Sequence, residues 1–276
     1  WKSRAQLAAG PADPDLAILK QTLVRAAFMS GPKEIARLRT VVRHLHLGNF
    51  AEALTAFSVV AMTLHYRIWG KPGAALGMAT LEDSLRRLSL NASILNDLDE
   101  ILDWAESVSN VSGRIPELSF PCPFELHAQY GTNEIKATFG LATFNTAGLR
   151  GVGVFYVQDV NAYVLLITFQ KTEREYSPST MYADYPISRE LLHWESQSTT
   201  SQQSPTGQNL IHCVERGCTI LIFARDQKKR NGCTVPFTYL GDAELVSFEG
   251  ERPIKIIWRL KNSIPVEMFE ENRRGG

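Results

Sequence analysis

The residues best suited to chemistry are concentrated between Glu175 and Gln208, EYSPSTMYADYPISRELLHWESQSTTSQQSPTGQ. Tyr176, Tyr182, Tyr185, His193 and Trp194 stand there among Asp184, Gln197 and many hydroxyls, Thr199 included. Only Met181, Ile187, Leu191 and Leu192 are large and aliphatic, too few for a core strand or helix, while the rings are too many for a disordered linker. The stretch reads as a long, ordered polar-aromatic loop segment, a type that usually carries function. Flat rings beside short hydrogen-bonding groups suit a flat polar ligand such as a nucleobase taken out of its stack. Tyr182, Asp184 and Tyr185 place rings around an acid, and an aspartate can accept from the cytosine amino group. Tyr176, His193, Trp194, Gln197 and Thr199 complete the candidate base-binding set, with core packing as the alternative for Trp194 and for one or two tyrosines.

Other constellations are weaker. Glu134-Ile-Lys136 has the E-x-K spacing of metal-dependent nucleases, but it falls in a helical pattern, and Glu117 is a poor upstream partner. Asp184 with His193 has the makings of an acid–base pair, yet no nucleophile sits in a recognised setting, and a structural hydrogen-bonding role for His193 is favoured. Gly70-Lys71-Pro72-Gly73 lacks the phosphate-loop pattern and reads as a turn. Cys122, Cys213, Cys218 and Cys233 form no C-x-x-C pair, which argues for reduced thiols in a cytoplasmic protein rather than a zinc site. The expectation is a chain with no catalytic residues, no metal and no cofactor.

The 276 residues suffice for one large domain or two smaller ones, and 44% hydrophobic with 21% charged residues is ordinary for a globular protein. With 29 basic and 29 acidic residues the formal net charge is +0, so bulk charge gives no support to strong non-specific DNA binding. Contact with phosphates must come from local groups, and the candidates are Lys228, Lys229 and Arg230 in a basic turn and Lys255 and Arg259 on one strand face. No apolar run is long enough to span a bilayer. The start at Trp1 without a methionine reads as a fragment of a longer protein.

The elements that must position these groups follow from periodicity. Helical stripes run through Asp13 to Met29, Pro32 to Leu47 and Asn49 to Trp69. A capping box at Thr80 to Asp83 opens a short helix, and Asn91 caps another reaching about Ala105. Arg39, Arg43 and His46 read as a solvated face rather than a phosphate-contacting one. Composition shifts at Ser107 to Ser119, which divides the chain into a helical coupler domain, 1–115, and a β domain, 116–276. Asn133 to Phe139 is expected as a short helix. Strands are expected at Gly151–Val157, Ala162–Phe169, Cys218–Ala224, Val235–Leu240, Ala243–Phe248 and Ile254–Leu260, and a helix capped by Thr206 through Val214. The fold class is α+β, a helical bundle followed by a small curved sheet or barrel.

YSPSTMYADYPIS, HWESQSTT, SPTG and FPCPFELHAQYGTNEIKATFG together resemble a bacterial module catalogued as a domain of unknown function. That module typically follows a DEAD/DEAH-box helicase, often with a phospholipase-D-like nuclease, as in SauUSI-like modification-dependent restriction proteins. The resemblance implies that the β domain is an SRA/PUA-like reader of methylated cytosine by base flipping. It also implies that the partners are modified double-stranded DNA and the helicase and nuclease domains of the same parent chain, with homodimerisation open. Glu195 stands where the family more often has glutamine, and Leu192 where an aromatic is common. Recognition of another mark such as phosphorothioate, or a purely structural coupler, are the alternatives.

Overall fold

The computed structural model describes residues 30–273 apart from 91, 147, 149–152, 172–183 and 231. Tyr176, Tyr182, the expected helix Asp13 to Met29 and the Asn91 cap lie outside the described residues. The chain is α+β, with seven α-helices and an eight-stranded mixed sheet among the described residues. It divides into two units: residues up to Gly113 with 131–150, and residues 114–130 with 151–276. The segment around Thr132 thus joins the helical unit, although it follows the first strand of the other.

In the helical unit, α1 (Pro32–His46), α2 (Phe50–Trp69), α3 (Leu81–Ser89), α4 (Ala92–Val108) and α5 (Thr132–Thr138) form. The stripes expected from spacing become the core: Ile35, Leu38, Val42 and Leu45 meet Leu64, Ile68, Leu85, Leu88, Leu95, Leu98 and Leu102. The Thr80–Asp83 box forms in both directions, with Thr80 Oγ1 accepting from Asp83 N–H at 3.1 Å and Asp83 accepting from Thr80 N–H at 2.8 Å. The Gly70–Gly73 turn is real, and the Phe144 ring covers Gly73 so closely that a Cβ there would lie 1.9 Å from it. Glu134 is buried in this unit and accepts from Arg67 Nε at 3.0 Å, while Arg67 Nη1 donates to Ser30 Oγ at 2.6 Å. A carboxylate so committed serves packing, which is why the E-x-K spacing here has a structural explanation.

The other unit is built on β1 (Gln129–Tyr130), β2 (Val154–Val157), β3 (Ala162–Gln170), β4 (Tyr185–Pro186), β5 (Leu191–Glu195), β6 (Thr219–Gln227), β9 (Phe237–Glu249) and β10 (Lys255–Leu260). The strand order is β2-β3-β6-β9-β10-β5-β4, with β1 on β9, and β3–β6 is the parallel pair. The path ends at two edges, so of the expected curved sheet or barrel the described residues form an open sheet. A separate hairpin, β7 (Lys229–Arg230) and β8 (Cys233–Thr234), holds the basic turn. β6 is buried on both faces, as its unbroken apolar run required. One face packs Ile220, Ile222, Trp194, Trp258 and Leu210 of α6 (Pro205–Ile211). The other packs Phe223 against Phe124 at 5.1 Å and Tyr239 at 4.7 Å. The two strands expected at Val235–Leu240 and Ala243–Phe248 are one, because Gly241 takes up a bulge at φ 88° instead of a turn. The helix expected from Thr206 is capped by Ser204, whose Oγ accepts from Gly207 N–H at 3.1 Å. A final helix, α7 (Val266–Asn272), had no sequence expectation.

Candidate functional site

The stretch read as a loop contains a strand pair. After Pro186 the chain turns through Ser188, whose Oγ accepts from Glu190 N–H at 3.1 Å and Leu191 N–H at 3.0 Å. β5 then pairs with β10, from Leu191 opposite Arg259 to Glu195 opposite Lys255. Side chains alternate across the pleat. Leu192 and Trp194 face the core, and the Trp194 ring lies 6.3 Å from that of Trp258. Trp194 is thus placed in the core, the packing alternative that the sequence left open for it.

His193 lies on the opposite face from Trp194, directly across from Tyr185. Their rings are stacked, with centroids 4.6 Å apart and planes 15° from parallel, and both residues are half-buried. Asp184, next in the chain, exposes only 6% of its surface. Its Oδ2 accepts from Lys171 Nζ at 2.6 Å and its Oδ1 from Glu195 N–H at 3.0 Å. Burial pushes its carboxyl above the usual carboxylate range, against which the Lys171 ammonium and the Glu195 N–H act. Asp184 and His193 are not hydrogen-bonded to each other in this arrangement; the acid is paired with Lys171 and the imidazole with the tyrosine ring. Lys171, at the end of β3, was missed from sequence; its only signal was a lysine closing a strand run just before the aromatic stretch.

Gln197 and Thr199 sit in the turn beyond β5, closed by Thr200 N–H donating to Gln197 O at 2.8 Å. Ser196 clamps that turn to β10, donating its N–H to Ile254 O at 2.9 Å and accepting Ile254 N–H on Oγ at 2.8 Å. The structure thus gathers Asp184, Tyr185 and His193 closely, with Gln197 and Thr199 at the same end of β5.

The expected phosphate contacts are dispersed. Arg230 is tied to Asp226 at 3.2 Å, and Asp226 also accepts from Asn272 of α7 at 2.8 Å. Lys255 lies 3.6 Å from Glu249, and Arg259 is in register with Glu244. The β10 cations therefore belong to a mixed-charge face rather than a basic patch. Among the described residues, no group of three or more His, Cys, Asp or Glu could hold a metal ion, and no helix is long and apolar enough to cross a membrane.

A family model described as Domain of unknown function (DUF3427) matches residues 124–271, more than half of the chain, and the chain belongs to that family. No curated protein matches it. Among solved structures, the DNA recognition domain of the cytosine modification-dependent restriction endonuclease LpnPI aligns at 10% identity with a TM-score of 0.31, over 46% of this chain and 66% of that one. Arabidopsis thaliana SUVH6 in complex with SAM aligns at 12% identity with a TM-score of 0.36, over 86% of this chain and 41% of that one.

Proposed function

We propose that the β unit is the target-recognition part of a larger helicase or restriction protein. In this reading it binds double-stranded DNA carrying a modified, 5-methylcytosine-like base, which it takes out of the duplex. The observation that carries the reading is the Tyr185–His193 stack: two near-parallel, half-buried rings on one hairpin, beside an anchored acid. A flat base extends such a stack, and base–aromatic stacking contributes about 1–3 kcal/mol per base. Asp184 supplies the base-edge acceptor. Lys171 and the Glu195 N–H use two of its roughly four lone-pair sites, and the base amino group takes one of the remainder. Gln197 and Thr199, on the adjoining turn, meet the sugar edge. The chain itself hydrolyses nothing in this reading; the parent chain's helicase and nuclease domains do.

The test is a binding panel of unmodified, cytosine-methylated and phosphorothioate duplexes. Preference for the methylated duplex, lost in Tyr185→Ala and His193→Ala, supports the proposal. Preference for phosphorothioate moves recognition from base to backbone. Absence of binding to every duplex favours a structural coupler, the reading to which exposed Trp104 and Val108 on α4 lend weight; light scattering of the same sample then shows whether the chain dimerises.

A further inference from the structure

The three residues after Lys261 form a strap to which three basic side chains are tied in succession. Arg114 Nη2 donates to Asn262 Oδ1, His127 Nε2–H donates to Ser263 O at 3.1 Å, and Arg189 Nε donates to Ile264 O at 2.9 Å. Backbone bonds hold the same groups: Leu126 N–H donates to Arg114 O at 2.8 Å, and Ile264 N–H to Arg189 O at 2.7 Å. His127 takes φ 66°, a left-handed conformation uncommon outside glycine, and its N–H donates to Tyr239 O at 2.8 Å. Such outliers persist where the surroundings enforce them, often at ligand clamps.

Arg189 is the informative member. Its Nε is fixed on a carbonyl, and its two terminal nitrogens have no hydrogen-bond partner among the described residues. A guanidinium held this way presents a pre-set fork to an anion, the geometry that suits phosphate. Both arginine charges reach His127 and act with burial, the larger cause, to hold its imidazole below the ordinary range. Lys261 nearby is engaged by Asp242 at 2.7 Å. One carboxylate stands at the strap: Glu190 accepts from Ser263 Oγ at 2.9 Å. Arg189 lies in the β4–β5 turn, four residues from His193, so the turn and the ring stack are about 13 Å apart along an extended chain.

We propose that the Arg189 fork grips a DNA backbone phosphate a short distance from the base held at Tyr185 and His193, in a cleat where the Arg114 charge adds attraction and the neutral His127 ring is a neighbour that senses the anion. This rests on the DNA-reading proposal, and it replaces the dispersed lysines as the main electrostatic contact. A group that touches only phosphate carries no sequence or modification preference.

Pyrophosphate is the probe that separates the two proposals. Added to the whole chain, it should shift the His127 ring resonance, identified by its loss in His127→Gln, and Arg189→Gln or Arg114→Gln should weaken this response by about tenfold. On duplex DNA each arginine variant should lower the log–log salt slope by about one and weaken methylated and unmethylated duplexes equally. Glu190→Gln should tighten binding. Arg189→Lys, which keeps the charge and loses the fork, should keep the slope and lose part of the affinity; it guards against misreading a folding defect. If pyrophosphate leaves His127 unmoved, or the arginine variants respond to it and bind DNA as the wild type does, the cleat is wrong. If pyrophosphate moves His127 through the two arginines but no duplex binds, the cleat stands as an anion site and the DNA-reading proposal fails.

Discussion

Asp184 and Lys171 meet at 2.6 Å with both side chains buried, so removing one partner leaves the other charge in the interior. Breaking such a pair costs about 3–5 kcal/mol, whereas replacing both members with apolar groups is often neutral. Lys171→Met should therefore lower the denaturant midpoint strongly, and Lys171→Met combined with Asp184→Leu should recover most of the loss. Equal destabilisation by the single and double variants would show that the pair matters only through packing volume. The same reasoning applies to Arg67 and Glu134, whose side chains are 6% and 10% exposed. Glu134→Gln should cost about 3–5 kcal/mol in urea unfolding. A fully stable Glu134→Gln chain would remove the structural explanation for the E-x-K spacing. The types of Asp184, Tyr185 and His193 were legible as chemistry in the sequence. The burial of the acid was not, because its partner Lys171 lies thirteen residues away across the aromatic stretch.

At the scale of elements, what could be read depended on how completely an element declared its pattern. α1 and α2 carry full apolar stripes, and the α3 capping box is a local device written in four residues, so all three were legible. β6 was legible because it is apolar on both faces. The β4–β5 hairpin was not: β4 has two residues, and β5 has only Leu192 and Trp194 facing inward beside Leu191, His193 and Glu195. β9 was split in two because Gly241-Asp242 looks like a turn, while the fold uses that glycine for a bulge beside Asn262. Helix α6 was legible but for its ends: it stops at Ile211 rather than Val214, and its cap is Ser204 rather than Thr206, which lies inside the first turn. Ser204→Ala should cost about 1 kcal/mol, the usual value of an N-cap hydroxyl. Thr206→Ala, at an exposed position inside the first turn, should change the melting temperature little. The reverse order of effects would return the cap to Thr206.

For the molecule as a whole, pH dependence follows from two histidines. Burial holds His65, bonded to Ser84 Oγ at 2.8 Å and Lys71 O at 2.9 Å, below the ordinary imidazole range, and His127 is lowered likewise. The unfolded chain therefore binds more protons than the folded one once pH falls below the unfolded value of about 6.5. Stability from these groups is complete above that value and is lost on acidification, at up to about 1.4 kcal/mol per histidine per pH unit. Asp184, whose carboxyl is raised, acts in the opposite sense, gaining stability as pH falls through the carboxylate range. The melting temperature should drop between pH 7 and 5.5, and a flat or rising profile would contradict the neutral, buried state of His65. With a formal net charge of +0, few phosphates are neutralised, and the wild-type salt slope on duplex DNA should be about −3 to −4.

The central claim is that the ring pair of the β4–β5 hairpin reads a modified base. It is tested most directly by the affinity ratio between methylated and unmethylated copies of one duplex, for wild type, Tyr185→Ala and Asp184→Asn, with circular dichroism confirming the fold. Wild type should prefer the methylated duplex. Tyr185→Ala should lose about 1–3 kcal/mol on it and little on the unmethylated one, and Asp184→Asn should reduce the preference more than overall DNA affinity. Folded variants that keep the wild-type ratio would contradict the claim and make the hairpin scaffold.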